Sequence, residues 1–202
     1  MRNLFFVSAI LICALNLGEQ RAGAEGPDLS DGPKVAAGAS WGLGNMSNSN
    51  FTIASRAMNT ISLFAMPSYM WRQFFAGLDA DLRFVGQNTA TADVGGTNIK
   101  GTGYMIGLVV GYMWPQFYAL TGLDFLGKHA ESIATVTGLN SRYNKPIGVR
   151  LGFGYFFTKM ISADFTATID SYRQNLFGDQ SIDISDTKLT HRNFALGASV
   201  HF

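Results

Sequence analysis

The C-terminal stretch from Asn193 to Phe202 reads NFALGASVHF, and its period decides the fold. Phe194, Leu196, Ala198, Val200 and Phe202 fall on one side, with Asn193, Ala195, Gly197, Ser199 and His201 on the other. Strict alternation over ten residues is the signature of a strand, because side chains of extended backbone point to opposite faces at a period of two. One face carries large apolar groups and the other small or polar ones.

Working back along the chain, the same pattern recurs in seven more segments. Ile161, Ala163, Phe165, Ala167 and Ile169 alternate with Ser162, Asp164, Thr166, Thr168 and Asp170. Ile147 to Phe157 at odd positions oppose Gly148, Arg150, Gly152 and Gly154. Phe117, Ala119, Leu123 and Phe125 oppose Gln116, Gly122 and Asp124, while Tyr104, Ile106, Leu108, Val110, Tyr112 and Trp114 oppose Gly103, Gly107 and Gly111. Phe74 to Phe84 at even positions oppose Gly77, Asp79, Asp81 and Arg83. Ile61 to Trp71 at odd positions and Val35 to Leu43 at odd positions complete the set. Eight strands follow, each near the roughly 9–11 residues that cross a bilayer when tilted.

The links between them alternate in length. Trp71-Arg72, Trp114-Pro115-Gln116 and Thr158-Lys159 read as tight turns. Residues 45–50, 87–98, 129–144 and 175–187 are longer and rich in Asn, Gly, Ser, Thr and Asp, as loops are. Around 89–94 and 133–136 the alternation continues, so these hairpins are expected to protrude, and the last loop is acidic at Asp179, Asp183 and Asp186. Short turns on one side and long loops on the other are the asymmetry of an outer-membrane barrel.

Composition bounds the class. The 202 residues hold one domain, with only 14% charged residues, 13% aromatic residues and 23 glycines. Mean hydropathy is near neutral, far too low for a helical bundle in lipid but natural for a barrel in which alternate residues meet lipid. Residues 1–24 read as a cleavable secretory signal, with Arg2, an apolar run from Leu4 to Leu17 and the small residues Ala22-Gly23-Ala24. Cleavage would remove Cys13, the only cysteine, and leaves a chain without disulfide or thiol chemistry. It also brings the net charge of +1 to balance, which argues against nucleic acid. Residues 25–33 form a short periplasmic segment and 34–202 the barrel.

A soluble eight-stranded barrel is the structural rival. It would have to point Phe, Tyr, Trp and Leu inward from nearly every strand, into an interior just wide enough for its own side chains. Its outside would be Gly, Ser and Ala with few charges. Lipid outside and small or polar residues inside resolve both conflicts. The aromatics agree, because Tyr69, Trp71, Phe74, Tyr112, Trp114, Phe117, Tyr155, Phe157 and Phe202 fall at the periplasmic end, whereas Trp41, Phe84, Tyr104, Phe125 and Phe194 fall toward the outer end. Two such girdles are expected at headgroup depth.

The alternating last strand ending in Phe202 resembles the small outer-membrane β-barrels, a class that includes the OmpX-like and OmpW-like families and the membrane part of OmpA. That resemblance implies a monomeric, all-β, antiparallel up-and-down barrel in the bacterial outer membrane. It implies that Phe194, Leu196, Val200 and Phe202 act as the signal read by the barrel-assembly machinery, and that membrane lipid and lipopolysaccharide surround the barrel. With the chain ending at Phe202, no OmpA-type peptidoglycan-binding domain is expected.

The lumen side of the pattern holds Asp79, Asp81, Arg83, Asp124, Arg150, Asp164 and Asp170, with Asn193 and His201. Buried charges must be paired or hydrated, so Arg150 is expected to pair with Asp124 or Asp170. The inward glycines 103, 107, 111, 148, 152 and 154 leave room for Met66, Phe75, Tyr118 and Phe156. No catalytic residue, metal site or cofactor is expected. His129 with Glu131 and Ser132 at a loop base is the nearest approach to a catalytic group, and its order matches no lipid A deacylase or palmitoyltransferase signature. The expected role is structural or surface-interaction, of the adhesion type. The alternatives are a narrow channel for small or hydrophobic solutes and, third, a lipid-modifying enzyme.

Overall fold

The fold is taken from a computed structural model, which describes residues 26–47, 56–87, 99–133, 140–177, 180–183 and 189–202. The expected signal peptide and the protruding hairpin tips lie outside the described residues. Among the described residues nine strands run antiparallel: β1 Gly32–Ser47, β2 Arg56–Trp71, β3 Phe74–Gln87, β4 Ile99–Met113, β5 Phe117–Ile133, β6 Asn140–Phe156, β7 Ile161–Phe177, β8 Gln180–Asp183 and β9 Leu189–His201. Each of β1 to β7 pairs with the next, β7 pairs with β9, and β9 returns to β1. The sheet is therefore a closed barrel of eight staves. The short β8 extends the last stave, pairing with β7 above the point where β9 leaves it.

Closure occurs at the chain end read first. β9 lies between β7 and β1, and Phe202 exchanges backbone hydrogen bonds with Val35, at 2.8 and 3.1 Å. No strand edge of the barrel wall is left open, which is what a spanning sheet requires where water cannot satisfy the backbone.

The staves have 13 to 17 residues, longer than the bilayer span expected from the sequence. The excess lies at the outer end. Residues 129–133 and 140–144, read from sequence as loop, are strand. Loop-like composition misled there because polar residues also suit strand that stands clear of lipid.

The apolar face points outward. Leu63, Leu78, Leu108, Val149, Leu151, Phe165, Ile169 and Leu196 are all exposed. In water such a continuous apolar belt would be an aggregation surface. Around a closed barrel it is the lipid contact, and the chain is an outer-membrane barrel. At the periplasmic end Phe74, Tyr112, Trp114 and Phe117 touch in series, with ring centroids 4.5–4.8 Å apart. At the outer end Phe84, Tyr104, Phe125 and Phe194 are exposed and Trp41 is half-buried.

Candidate functional site

The inward face fills the barrel in three layers. The periplasmic layer is apolar: Met66, Met70, Phe75, Val109, Met113, Tyr118 and Phe156 pack together with Ala36. Glycines make this possible, since a Cβ on Gly111 would collide with the Phe75 ring and one on Gly154 with the Tyr118 ring. The segment before β1 closes the layer from below, with Pro27 buried and Leu29 packed against the cluster. Asp28 holds that segment in shape. It accepts from Lys34 Nζ at 2.6 Å and from Ser30 N at 3.0 Å, and these partners lower its carboxyl to about 2.

Charge occupies the middle layer. Asp79, Asp81 and Arg83 come from β3, Asp124 from β5, Arg150 from β6 and Asp170 from β7, all buried. Arg83 donates through Nε to Asp81 at 2.7 Å and through Nη1 to Asp170. Arg150 reaches Asp79, Asp124 at 3.4 Å and Asp81 at 3.5 Å. Asp124 also lies 3.7 Å from Arg83. Of the two partners considered for Arg150, Asp124 is the one it reaches, while Asp170 goes to Arg83. Since β3 faces β7 across an eight-stave ring, the Arg83–Asp170 pair is a strut through the lumen. Asp164 stands closer to the periplasm, accepting from Tyr118 Oη at 2.7 Å and Ser162 Oγ at 2.6 Å. Ser162 and Ser199 both lie within 3.0 Å of His201 Nε2.

A cavity of about 40 Å³ lies among Asp79, Asp81, Arg83, Arg150, Asp164, Thr168 and Asn193. It has room for two or three waters, on the order of 15 Å³ each. Asp81 Oδ1, Asp164 Oδ2, Thr168 Oγ1 and Asn193 Oδ1 are buried around it and have no partner among the described residues. Water is the group that fits such a space and such atoms.

The outer layer was not legible as lumen. Met46, Met58, Val85, Tyr143 and Tyr172 form a second buried cluster. The His129 ring stacks on Tyr143 at 6.0 Å and its Nε2 lies 3.2 Å from Glu131 Oε1. His191 Nδ1 lies 3.8 Å from Asp170, joining this layer to the charged one. His129 and Glu131, expected in an exposed loop, are thus buried. Ser132 points the other way, exposed, with its hydroxyl toward the Lys100 carbonyl at 3.4 Å. The grouping that most resembled a catalytic set is split by the barrel wall.

A bulge turns His129 and Glu131 inward. Ile106 pairs with Leu126 and Gly107 with Asp124, so Phe125 is an extra residue on β5. Phe125 and Leu126 both face out, and beyond them odd positions face in. On β6 the irregularity recurs at Asn144-Lys145, where Lys145 has φ 53°, and Tyr143 turns inward to meet His129. The signal was present in the adjacent apolar pair Phe125-Leu126, which breaks the alternation, and extra residues of this kind re-aim side chains.

No protein-family model matches the sequence, and no curated protein does. Solved structures do match in fold. Neisserial surface protein A is 13% identical with a TM-score of 0.58, covering 84% of this chain and 97% of that one. Ail, the attachment invasion locus protein of Yersinia pestis, is 8% identical with a TM-score of 0.51, covering 86% of this chain and 100% of that one. The likeness is one of fold: a small outer-membrane β-barrel.

Proposed function

We propose that this protein is a surface barrel with a sealed lumen, acting through its outer end as a structural or adhesion-type element. The observation that carries the reading is the filling of the interior. An apolar plug, a braced charge layer and an aromatic layer lie in series, and the cavity among them is about 40 Å³, room for only two or three waters. A conducting pore needs continuous water, and eight staves leave little room for it. Staves that run past the lipid belt raise strand ends above the membrane, where backbone and side chains are offered to partners. The likeness to an attachment invasion locus protein and to a surface protein supports the same reading. The split of His129 and Glu131 from Ser132 removes the best support for a lipid-modifying enzyme.

Planar-bilayer conductance of the refolded chain tests this, with folding checked by the boiled-versus-unboiled gel shift. Silent bilayers are expected. Reproducible current steps that change on neutralising Arg150 or Asp124 would make the lumen a solute path and overturn the proposal.

A further inference from the structure

Water matches the cavity of the charged layer in size and in hydrogen bonding, but it leaves the charge there uncompensated. With Asp164 just below Asp79, Asp81, Asp124 and Asp170, five buried carboxylates face the guanidinium groups of Arg83 and Arg150. Even with His191 charged beside Asp170, a surplus of two negative charges remains. Away from bulk water such a surplus has to be met by protons or by a bound cation.

The unpartnered atoms distinguish the two. Asp81 Oδ1, Asp164 Oδ2, Thr168 Oγ1 and Asn193 Oδ1 border the cavity, and each of these residues is less than a tenth exposed. Thr168 pairs with Asn193, and Asp164 lies four residues back on the same face of β7, so three of the oxygens come from one wall. Ser40, Ser62 and Thr166 extend that wall with hydroxyls. Asp81 reaches in from β3 opposite, with its other oxygen held by Arg83 at 2.7 Å. A proton on either carboxyl would serve one neighbour, whereas a cation draws on all four oxygens at once. Arg83 Nη2 and Arg150 Nε are the donors left over at this cavity, and they call for a water beside the ion.

Donor chemistry selects the ion. Among the described residues no three His, Cys, Asp or Glu side chains converge as metal ligands, which argues against zinc. Two carboxylates, an amide carbonyl and a hydroxyl are hard oxygen donors of the kind calcium takes, about six to eight to an ion with waters among them. Neighbouring hydroxyls and one or two waters bring the four oxygens to that number, and a space of about 40 Å³ admits the ion with those waters. We infer that the lumen holds a single calcium ion between Asp81 and Asp164, with Thr168 and Asn193 completing its side-chain ligands. No spacing in the sequence announces such a site, because its oxygens come from three staves and meet only across the lumen. On the reading of a sealed lumen, the ion enters as the barrel closes and is then held.

The chain is refolded in neutral detergent with calcium, and bound metal is counted by mass spectrometry before and after a chelator, with folding checked by the gel shift. One calcium per barrel is expected at both stages, released on boiling. Asp164→Asn should weaken binding on the order of a hundredfold and Asn193→Ala about tenfold, since even a group that only orients a metal ligand is worth about ten- to a hundredfold in affinity. Asp31→Asn, on the exposed segment under the barrel, should bind as the wild type does. Terbium in place of calcium gives a second readout. Tyr118 borders the cavity and donates to Asp164, so exciting tyrosine should make the ion luminesce, and Tyr118→Phe should remove most of that emission while calcium stays bound. A folded barrel with no calcium before the chelator, equal binding by Asp164→Asn, or terbium emission indifferent to Tyr118→Phe would overturn the inference. Calcium present before the chelator and lost after it, without unfolding, would keep the site and overturn the sealed lumen instead. If Asp164→Asn fails the gel-shift test, Asn193→Ala carries the comparison.

Discussion

Arg83 shows how much one side chain can hold in a lumen. Its guanidinium contacts Asp81, Asp170 and Asp124, from three staves, and is almost fully buried. Removing one partner of a buried ion pair leaves the others uncompensated, at a cost of roughly 3–5 kcal/mol. Arg83→Met is therefore expected to lose about that much stability in urea titrations of the barrel in vesicles, followed by tryptophan fluorescence. Adding Asp170→Asn should recover part of the loss, because it withdraws a stranded carboxylate; strict additivity of the two would show that they do not interact. Asp28 makes a smaller contribution of opposite accessibility, on the exposed segment under the barrel. Its carboxyl is lowered to about 2 by Lys34 and Ser30, so the hold on residues 26–31 is complete above the ordinary carboxylate value of 3.8 and fades as pH falls through about 2. Hydrogen exchange at Leu29 should rise over that window, and Asp28→Asn should show the faster exchange at neutral pH.

At the scale of the element, the outer half of β5 turns on Phe125. Everything the period of two could reveal was legible: the eight staves, their outward faces, and the inward Asp79, Asp81, Arg83, Asp124, Arg150, Asp164 and Asp170. What period alone conceals is a change of phase. One extra residue reverses every side chain after it, and His129 and Glu131 moved from an apparent loop to the interior for that reason. Met46, Met58 and Tyr172 were missed for a different reason: they keep the phase of their staves, and an inward methionine or tyrosine is unremarkable until its stave is known to continue. The bulge can be tested with cysteine, which the barrel otherwise lacks. Lys128→Cys should react with a water-soluble maleimide and His129→Cys should be protected. Deleting Phe125 should exchange the two reactivities in whatever fraction folds; unchanged labelling would mean the phase is set elsewhere, at Asn144-Lys145.

For the whole molecule, the order of the layers matters more than the content of any one. The periplasmic apolar plug and the outer Met–Tyr cluster sit at opposite ends of a charged middle that surrounds a small polar cavity. Barriers in series block transport independently, so opening either one should leave the barrel silent. Phe75→Ala with Phe156→Ala thins the first, and Tyr143→Ala with Tyr172→Ala the second. Each aromatic truncation costs about 3–5 kcal/mol of packing, and the gel shift must show that the barrel survives. Neither pair alone is expected to give current steps in a planar bilayer. The four changes together should, because water would then reach the middle layer from both sides. That current should favour cations, since four carboxylates there face two guanidinium groups. Steps from either pair alone would show that the interior has a single gate, and the case for a sealed surface barrel would give way to that for a channel held shut at one end.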